Sequence, residues 1–528
     1  MRFLWLTLHR TTGRVRADGV ESGACRGGQC PDRSTGARMV RLSRGARVAV
    51  IGAGPGGLVS AKHAIEAGFE VSVFEASDDL GGQWNTAAAH SGIWPGMRTN
   101  SSRAMTAFSD YPPPLSHDLH PFAEQIHDYL RSYSDVFGVT DRIRFNTRVS
   151  DLQPAWRVDG EPFDAVIVAS GRFRAPVLPA GLGGFTGELL HAFDYSGVDH
   201  FRDRRVLVYG NGVSGHEIAS DIATVTSVVS AYRKPRYVLQ KNVAGVSSDW
   251  QWYTHIGALR RTAMSPSSYG ALLRERVLHV AGNPADFGAP EPNADFLVAG
   301  HSLCQDYLGQ VRAGTILCRP AIVEARGDQV TFADGSCERV HAIVCATGYR
   351  LDIPYLSRQL WSVLGPDLRL HQRTMHPDLP YFGVVGEFTL QGPYFPLLEL
   401  QARWIVGAWS GDGPELDDGA ARASVASPAP AIDSHNVLAV AVADAAGVAP
   451  DVRARPDLAE PLLFGPMLPP RYRLDGPGAH ADAAATFRDQ LAASPRAAVE
   501  PDDIAALADV GYGDLLPVIS TARDSGRA

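Results

Sequence analysis

The chain has 528 residues, too many for one hydrophobic core, and its 45% apolar and 20% charged residues are typical of a globular protein of two or three domains. The net charge of −8 argues against the broad basic face that a nucleic-acid partner needs. No run of about 18 apolar residues is present to span a membrane. We therefore expect neither nucleic acid nor a membrane as a partner.

The first 45 residues differ in charge from the rest. They contain nine Arg and three acidic residues, which gives +6 and leaves −14 for the remainder. We predict an Arg-rich, disordered N-terminal extension over 1–45, or an upstream start codon with Met39 as the working start. A targeting peptide is the alternative, so it stays open whether residues 1–38 belong to the working protein.

The six cysteines are sparse, as in a reducing cytoplasm, and we expect a cytoplasmic protein. Cys25 and Cys30 have the C-x4-C spacing of flavin disulfide reductases, but they precede the first glycine-rich motif instead of following it. No C-x-x-C and no H-E-x-x-H spacing occurs. We therefore expect neither thiol–disulfide chemistry nor a bound metal.

A first dinucleotide-binding fingerprint lies in "VAVIGAGPGG", with Gly52, Gly54 and Gly57 in the pattern G-x-G-x-x-G. "RVAVI" predicts a buried strand, "LVSAKHAIEAG" a helix that ends at Gly68, and "EVSVFEAS" the next strand. Glu75 follows Gly52 by 23 residues, at the position of a carboxylate that accepts ribose hydroxyls while the helix N-terminus faces a pyrophosphate. These features together predict a dinucleotide site.

A second fingerprint, "VLVYGNGVSG", contains Gly210, Gly212 and Gly215, with Ser214 in the loop. No carboxylate closes its next strand, "SVVSAYRK", where Arg233 stands 23 residues after Gly210. A guanidinium can bind the 2′-phosphate of NADP, which a carboxylate would repel. The second site is therefore predicted to favour NADPH over NADH by roughly 10- to 100-fold.

Each fingerprint is followed at a distance by a short strand that ends in a small-residue turn. "DAVIVASG" ends this way in the first half, and "HAIVCATG" ends in the second half at Thr347 and Gly348, which we count as cofactor-binding residues. This internal repeat predicts an α/β fold with two Rossmann-like dinucleotide-binding domains, the second inserted in the first. The predicted parts are 46–195 for the first domain, 196–324 for the second, 325–490 for the rest of the first with a helical region, and 491–528 for a loosely ordered tail.

The segment between the two lobes, "FTGELLHAFDY", has the pattern F-x-G-x-x-x-H-x-x-x-Y. With Phe185, Gly187, His191 and Tyr195 in these positions, the sequence resembles the flavin-containing monooxygenases. We interpret His191 as an organiser of the linker instead of a proton donor.

Further segments extend the resemblance over about 46–490. "GGQW" is similar to the family's G-G-x-W, which implies that Gly82, Gln83 and Trp84 approach the flavin nucleotide. "MRTNSSRAMTAFSDYPPP" is similar to the family's T-N and F-S-D-x-P segments, and "PYFPLLELQARWIVGAWSG" and "PPRYRLDGPG" also match family segments. Several motifs in the family's order are far more specific than any one of them.

The resemblance implies an FAD- and NADPH-dependent monooxygenase similar to N,N-dimethylaniline monooxygenase, with FAD in the first lobe and NADPH in the second. NADPH would reduce FAD, and dioxygen would then form a C4a-peroxyflavin that oxygenates a small-molecule substrate at an amine nitrogen or a thioether sulfur. Asn100, in the T-N segment, is the one catalytic candidate, because an amide can donate to a developing peroxide without offering an acidic proton. An Asn that caps the turn before "SSRAM" is the alternative.

Different functions remain open from the sequence. A Baeyer–Villiger enzyme has a similar motif that ends in H-x-x-x-W followed by Pro or Asp, so Tyr195 followed by Ser196 favours heteroatom oxidation. The sequence is also compatible with an N-hydroxylating monooxygenase, a non-oxygenating flavin reductase or a non-catalytic nucleotide sensor. The physiological substrate and the oligomeric state, including a homodimer, stay undetermined.

Two segments outside these motifs carry predictions. The apolar stretch 437–449 contains Asp444 and predicts a packed helix, and "ADAAATFRDQLAA" predicts a helix before the tail. "SSDWQWYTHIG" places Trp250, Trp252 and Tyr253 between polar residues. These rings are predicted either to line an access channel or to pack in the core.

Overall fold

The computed structural model describes residues 40–88, 91–428, 430–493 and 499–524 of the chain. All of them lie in one compact unit that spans Met39–Ala528. The predicted disordered extension over 1–45 falls outside the described residues up to position 39, as does the Cys25 and Cys30 pair. Its last residues instead contact the fold, where the N–H of Leu42 donates to the carbonyl oxygen of Trp409 over 2.8 Å.

A parallel sheet of five strands forms around the first fingerprint. The strand Arg47–Ile51 pairs with Glu70–Phe74 on one side and with Ala165–Val168 on the other. Ile143–Arg144 continues the sheet beyond Glu70–Phe74, and Phe382–Val384 continues it beyond Ala165–Val168. The central strands are unbroken apolar runs because both faces of a parallel sheet are covered.

A second parallel sheet, also of five strands, repeats this arrangement. Val206–Tyr209 pairs with Val228–Ala231 and with Ala342–Cys345. Ile316–Arg319 and Glu188–His191 form its two edges. In each sheet the strand before the glycine loop therefore lies beside the strand that ends in a small-residue turn, which confirms the predicted internal repeat.

The second sheet continues further along the chain than predicted. The predicted division placed 325–490 with the first lobe, but Ala342–Cys345 pairs with Val206–Tyr209 in the second sheet. The chain rejoins the first sheet at Phe382–Val384. Sequence could not place this strand because "AIVC" has the same fully buried pattern as the strands of both sheets.

Shorter strands form smaller sheets around these two. They are a four-stranded sheet of Gly184–Phe185, Ile322–Gly327, Gln329–Phe332 and Cys337–Arg339; a three-stranded sheet of Leu152–Gln153, Arg157–Val158 and Glu161–Pro162; and the pairs Tyr237–Leu239 with His301–Leu303, Asn242–Val243 with Val246–Ser247, and Leu390–Gln391 with Asp433–Ser434.

Helices cover the sheets and form a separate helical layer. The α-helices of the described residues are Pro55–Glu66, Ala123–Val136, Val213–Ile222, Asp249–Trp252, His255–Ala263, Pro266–Ala281, Phe296–Ala299, Tyr307–Arg312, Arg358–Leu364, Phe395–Ser410, Asp418–Ala426, His435–Ala445, Ala459–Phe464, Ala483–Ala492, Pro501–Ala505 and Leu516–Asp524. No helix in the described part of the chain is long and apolar enough to cross a membrane.

The largest core joins the first lobe to the helical layer. Helix Pro55–Glu66 packs against Phe395–Ser410, which in turn packs against His435–Ala445, the helix predicted around 437–449. Trp250 and Tyr253 are buried in this same core. Of the two predicted roles for these rings, lining an access channel or packing in the core, the structure shows core packing. The helix predicted at 481–493 is present as Ala483–Ala492.

The C-terminal residues pack more firmly than predicted. In place of a loosely ordered tail, Pro501–Ala505 and Leu516–Asp524 are helical, and Leu507, Leu515 and Ile519 are buried in the largest core. Apolar residues that recur at roughly helical spacing give this segment a face to bury.

Candidate functional site

The first glycine loop closes tightly against the turn at the end of a neighbouring strand. Gly52 has φ +106°, and a Cβ there would lie 2.5 Å from the carbonyl oxygen of Ala169. A Cβ at Gly57 would lie 1.8 Å from the carbonyl oxygen of Gly52. Both positions therefore require glycine, and the strand passes directly into helix Pro55–Glu66 with its N-terminal N–H groups at the loop.

The predicted flavin loop lies against this fingerprint. The N–H of Gly81 donates to the carbonyl oxygen of Ala53 over 2.9 Å, and a Cβ at Gly54 would be 3.6 Å from the Cα of Gly82. Trp84 is buried while Gln83 is exposed. Two glycine-bearing backbones thus face each other without side chains between them, which fits a pyrophosphate that must approach the main chain closely.

Glu75 lies where the fingerprint requires its carboxylate. Oε2 accepts the N–H of Ala53 over 2.8 Å, and Oε1 accepts the N–H of Ser77 over 2.8 Å. The backbone therefore fixes the carboxylate beside the glycine loop. Each oxygen keeps a second lone pair, so the group can still accept ribose hydroxyls.

Asn100 lies in a turn that contacts the other lobe. Its Oδ1 is buried and has no hydrogen-bond partner among the described residues. Its neighbour Ser102 donates both its N–H and its Oγ hydroxyl to Oδ2 of Asp249, over 2.6 and 2.9 Å. Within the described part of the chain, no hydrogen bond joins Asn100 to the first glycine loop. A buried amide oxygen without a partner is a group that a ligand can satisfy.

The second glycine loop has the same construction as the first. Gly210 has φ +132°, and a Cβ there would lie 2.2 Å from the carbonyl oxygen of Ala346. A Cβ at Gly215 would lie 2.1 Å from the carbonyl oxygen of Gly210. At Gly212 a Cβ would meet nothing within 4 Å, so this glycine leaves open space in front of helix Val213–Ile222. Ser214 is exposed in the first turn of that helix.

Arg233 and Lys234 form a basic wall beside the second loop. Both are exposed, and within the described residues neither side chain has a hydrogen bond or an ion pair. They line a cleft of about 550 Å³ together with Glu291 and Asn293. Asn211 of the loop donates its side-chain amide to the carbonyl oxygen of Lys234, which ties the wall to the loop. Two free cations at this place fit a phosphate group on the adenosine ribose.

The turns after the two repeated strands meet each other. The hydroxyl of Thr347 donates to the carbonyl oxygen of Val177, and the N–H of Val177 donates to the carbonyl oxygen of Gly348 over 3.0 Å. The rings of Phe173 and Tyr349 lie 5.5 Å apart. Thr347 and Gly348 thus lie at the crossing of the two chain segments that connect the lobes.

His191 has structural contacts in this linker. Its Nδ1 accepts the N–H of Phe193 over 3.1 Å, and its ring packs edge-on against Tyr349 at 5.1 Å. Burial lowers the pKa of His191, which favours the neutral ring. Tyr195 donates its hydroxyl to Asp221 over 2.7 Å, and a Cβ at Gly187 would lie 2.5 Å from the ring of Phe185. These contacts agree with a role for the motif in holding the linker.

Three other matched segments meet in a buried ion network. Arg473 contacts Glu399 over 2.9 Å and Asp110 over 2.7 Å, and Lys62 also pairs with Asp110. Burial opposes ionisation of Glu399, but Arg473 and His63 hold the pKa of its carboxyl well below the usual range. The residues of "FSD", "ELQARW" and "PPRYRLDGPG" therefore join segments that are distant in the sequence.

Glu387 was not predicted from the sequence. It follows strand Phe382–Val384 at the edge of the first sheet where its glycine loop lies, and it is buried. Ser170 donates its hydroxyl to Glu387 over 3.1 Å, and Tyr355 donates to Ser170 over 2.7 Å. Burial raises the pKa of Glu387 to about 7. The only signal in the sequence is an acid two residues after the apolar run "YFGVV", which many exposed strand ends share.

The structure thus gathers the predicted residues into two groups. Gly52, Gly54, Gly57, Glu75 and Gly82 adjoin one another in the first lobe, and Gly210, Gly212, Gly215 and Arg233 line one side of the second. Asn100 lies in a segment that the two lobes share. Among the described residues, no three His, Cys, Asp or Glu side chains form a group that could hold a metal ion.

Comparisons with known proteins identify the same family over most of the chain. The family described as "Flavin-binding monooxygenase-like" matches residues 45–412. The chain is 28% identical to flavin-containing monooxygenase 5 of Oryctolagus cuniculus over 82% of this chain and 90% of that protein. It is 27% identical to dimethylaniline monooxygenase [N-oxide-forming] 2 of Cavia porcellus over 82% and 89% of the two chains. The solved structure of S-allyl-L-cysteine S-oxygenase from Allium sativum is similar in fold, with a TM-score of 0.56, 22% identity, and coverage of 85% and 98%.

Proposed function

The chain belongs to the flavin-binding monooxygenase-like family, and we propose that it is an FAD- and NADPH-dependent enzyme that oxygenates a soft nucleophile, an amine nitrogen or a thioether sulfur. The observation that carries the two-cofactor assignment is the contrast between Glu75 at the first loop and the free Arg233 and Lys234 at the second. A related protein named for N-oxide formation supports the choice of a soft nucleophile.

The first site holds the flavin nucleotide through its backbone. The N-terminal N–H groups of helix Pro55–Glu66 bind the pyrophosphate, and Glu75 accepts the ribose hydroxyls. Trp84 is buried beside the loop and limits the access of water. When bound, FAD would accept a hydride and activate dioxygen, two reactions that no protein side chain can carry out.

The second site binds and orients NADPH. The helix N-terminus after Gly212 binds its pyrophosphate, and Arg233 with Lys234 binds the 2′-phosphate. NADH lacks this phosphate, so the two cations discriminate between the two reductants.

Asn100 provides a polar group that cannot lose a proton at neutral pH. Its Nδ2 would donate a hydrogen bond to an oxygen atom held beside it, and its amide has no acidic proton to transfer. This property suits an oxygen transfer that early protonation would divert into hydrogen peroxide.

Product analysis tests the proposal. The FAD-loaded protein is incubated with NADPH and, separately, a tertiary amine, a sulfide and a cyclic ketone. We expect the N-oxide or the S-oxide. Ester from the ketone without either oxide would contradict the substrate class, and NADPH consumption with hydrogen peroxide alone would favour a non-oxygenating reductase.

A further inference from the structure

The turn that carries Asn100 is held from the second half of the chain. We propose that Asp249 is a positioning residue that fixes Asn100 through Ser102. This inference rests on the proposed function, because it assigns a purpose to the Asn100 amide, but its contacts are independent of any cofactor.

Asp249 contacts the turn through one oxygen. Its Oδ2 accepts the backbone N–H of Ser102 over 2.6 Å and the Ser102 hydroxyl over 2.9 Å. Trp250 donates its indole N–H to the same hydroxyl over 3.0 Å. Three hydrogen bonds therefore fix the residue two positions after Asn100, and they restrict the direction in which the short turn can project its amide.

All members of this contact are buried. Ser102 is fully buried, Asp249 is 3% exposed and Trp250 is 4% exposed. Removing a carboxyl group from water is unfavourable, and an apolar residue of similar size would cost less in a purely structural position. The bonds of Oδ2 to this one turn offset part of the cost of burying Asp249, whose Oδ1 has no hydrogen-bond partner among the described residues.

Two neighbouring contacts hold the same segment from the same side. Lys241 donates to the carbonyl oxygen of Arg98 over 3.5 Å and pairs with Glu217 over 2.8 Å. Glu217 lies on helix Val213–Ile222, which begins at the second glycine loop. The residues on both sides of Asn100 are thus attached to elements that follow the second fingerprint. These contacts connect the segment that carries Asn100 to the helix that begins at the second glycine loop.

Hydrogen exchange tests the positioning without relying on activity. In the FAD-loaded full-length protein, Asp249→Ala removes the acceptor of the Ser102 N–H, so exchange of this amide should become at least 10-fold faster. Asp249→Asn keeps an acceptor oxygen of the same shape and should restore slow exchange. Asp433→Ala is the matched control, because Asp433 is also a buried carboxylate but pairs with Arg373 over 3.0 Å. Ser102 exchange should be unchanged in this control.

A double-mutant cycle tests whether Asp249 acts through Asn100. The measured quantity is the fraction of NADPH that yields oxygenated product. Asp249→Ala should lower this fraction at least 5-fold, Asp249→Asn should restore most of it, and Asp249→Ala should cause no further loss when added to Asn100→Ala. Additive losses would show an independent role and overturn the proposal.

The two possible failures can be told apart. Unchanged coupling in Asn100→Ala would contradict the role of Asn100 itself. Reduced coupling in Asn100→Ala, with unchanged Ser102 exchange in Asp249→Ala, would contradict only the positioning by Asp249. If Asp249→Ala fails to fold, Ser102→Ala replaces it, since this change removes the hydroxyl bonds to Asp249 and Trp250 and keeps the backbone bond. It should lower coupling in the same direction, and unchanged coupling would overturn the proposal.

Discussion

The two glycine loops have nearly the same backbone and opposite charge. In each, the first glycine lies against the carbonyl oxygen of a small residue, Ala169 in one and Ala346 in the other, and the third glycine packs on the first. The first loop has a carboxylate, Glu75, that backbone N–H groups hold in place. The second has Arg233, whose guanidinium is exposed and without a partner among the described residues.

This difference in charge indicates that the backbone of the loop provides the pyrophosphate site, whereas one side chain determines which nucleotide is preferred. The strand, glycine loop and helix provide a place for a pyrophosphate, and they do so equally in both lobes. In our proposal, the residue at the end of the next strand selects the sugar: Glu75 would accept an unphosphorylated ribose in one lobe, and Arg233 would bind a phosphorylated ribose in the other. Substitutions that alter one loop at a time should therefore affect one nucleotide at a time.

Gly57→Ala should have the largest effect, because its Cβ would lie 1.8 Å from the carbonyl oxygen of Gly52 and force the first loop apart. The purified protein should contain less than a tenth of the native FAD, measured by flavin absorbance per protein. Gly215→Ala should instead retain FAD and lose NADP⁺ binding, because its clash of 2.1 Å with Gly210 lies in the second lobe. Gly183→Ala is the control, since a Cβ there meets nothing within 4 Å. If Gly215→Ala loses FAD while Gly57→Ala keeps it, the two sites are not separated as proposed.

Asn100→Ala should lower the fraction of NADPH that yields product by at least 10-fold and raise hydrogen peroxide by the corresponding amount. Its Oδ1 has no partner among the described residues, so the midpoint of thermal unfolding should change little. Assays of product and of hydrogen peroxide on the same sample measure how the consumed NADPH is divided between the two. Coupling equal to that of the native protein would remove Asn100 from the catalytic residues.

Arg233→Ala should weaken NADP⁺ binding by roughly 10- to 100-fold, the loss expected for one charge-assisted contact. NAD⁺ binding should stay the same, because NAD⁺ lacks the 2′-phosphate. Calorimetric titration of both nucleotides measures the two affinities, and Arg326→Ala, at an exposed arginine in strand Ile322–Gly327 that pairs with Glu324, serves as the control. Equal weakening of both nucleotides would mean that Arg233 does not read the phosphate.

Glu387→Gln, beside the first site, should change how the free energy of unfolding depends on pH. Burial raises the pKa of Glu387 from 4.5 to about 7, so the unfolded chain releases this proton first as the pH rises. The free energy of unfolding of the native protein should therefore fall between these two pKa values, by at most about 3 to 4 kcal/mol, because one pKa unit corresponds to about 1.4 kcal/mol. The Gln variant should lack this component in denaturant titrations at a series of pH values. If the unfolding free energy of the Gln variant depends on pH as steeply as that of the native protein, Glu387 does not cause the fall. Glu324→Gln, at an exposed carboxyl, is the control and should keep the native pH dependence.

Sequence predicted the parts of the molecule that local patterns determine. The strands, the glycine loops and the placement of Glu75 follow from residue spacing, because a tight turn between a strand and a helix tolerates only glycine at Gly52 and Gly57. The repeat of small-residue turns also correctly paired Ala165–Val168 with the first loop and Ala342–Cys345 with the second.

The remaining features depend on contacts between distant segments. The repeat of small-residue turns linked Ala342–Cys345 to the second fingerprint, but the predicted domain boundary at 325 assigned these residues to the first lobe, since an apolar strand can complete either sheet. Asp249 and Glu387 gave no specific local signal. Burial decides their properties, and this burial depends on residues more than a hundred positions away, such as Ser102 and Ser170. The C-terminal helices were missed because the tail was interpreted from its Pro and Ala content, and its apolar residues, among them Leu507, Leu515 and Ile519, become a buried face only against the largest core.

Anaerobic reduction of the FAD-loaded native protein tests the central claim most directly. The protein is mixed with NADPH or NADH without oxygen, and flavin absorbance follows the reduction at increasing nucleotide concentration. We predict that NADPH half-saturates the reduction at a concentration roughly 10- to 100-fold lower than NADH, because only NADPH engages Arg233 and Lys234. Equal half-saturation by the two nucleotides, or no reduction by NADPH, would contradict the assignment of one loop to FAD and the other to NADPH.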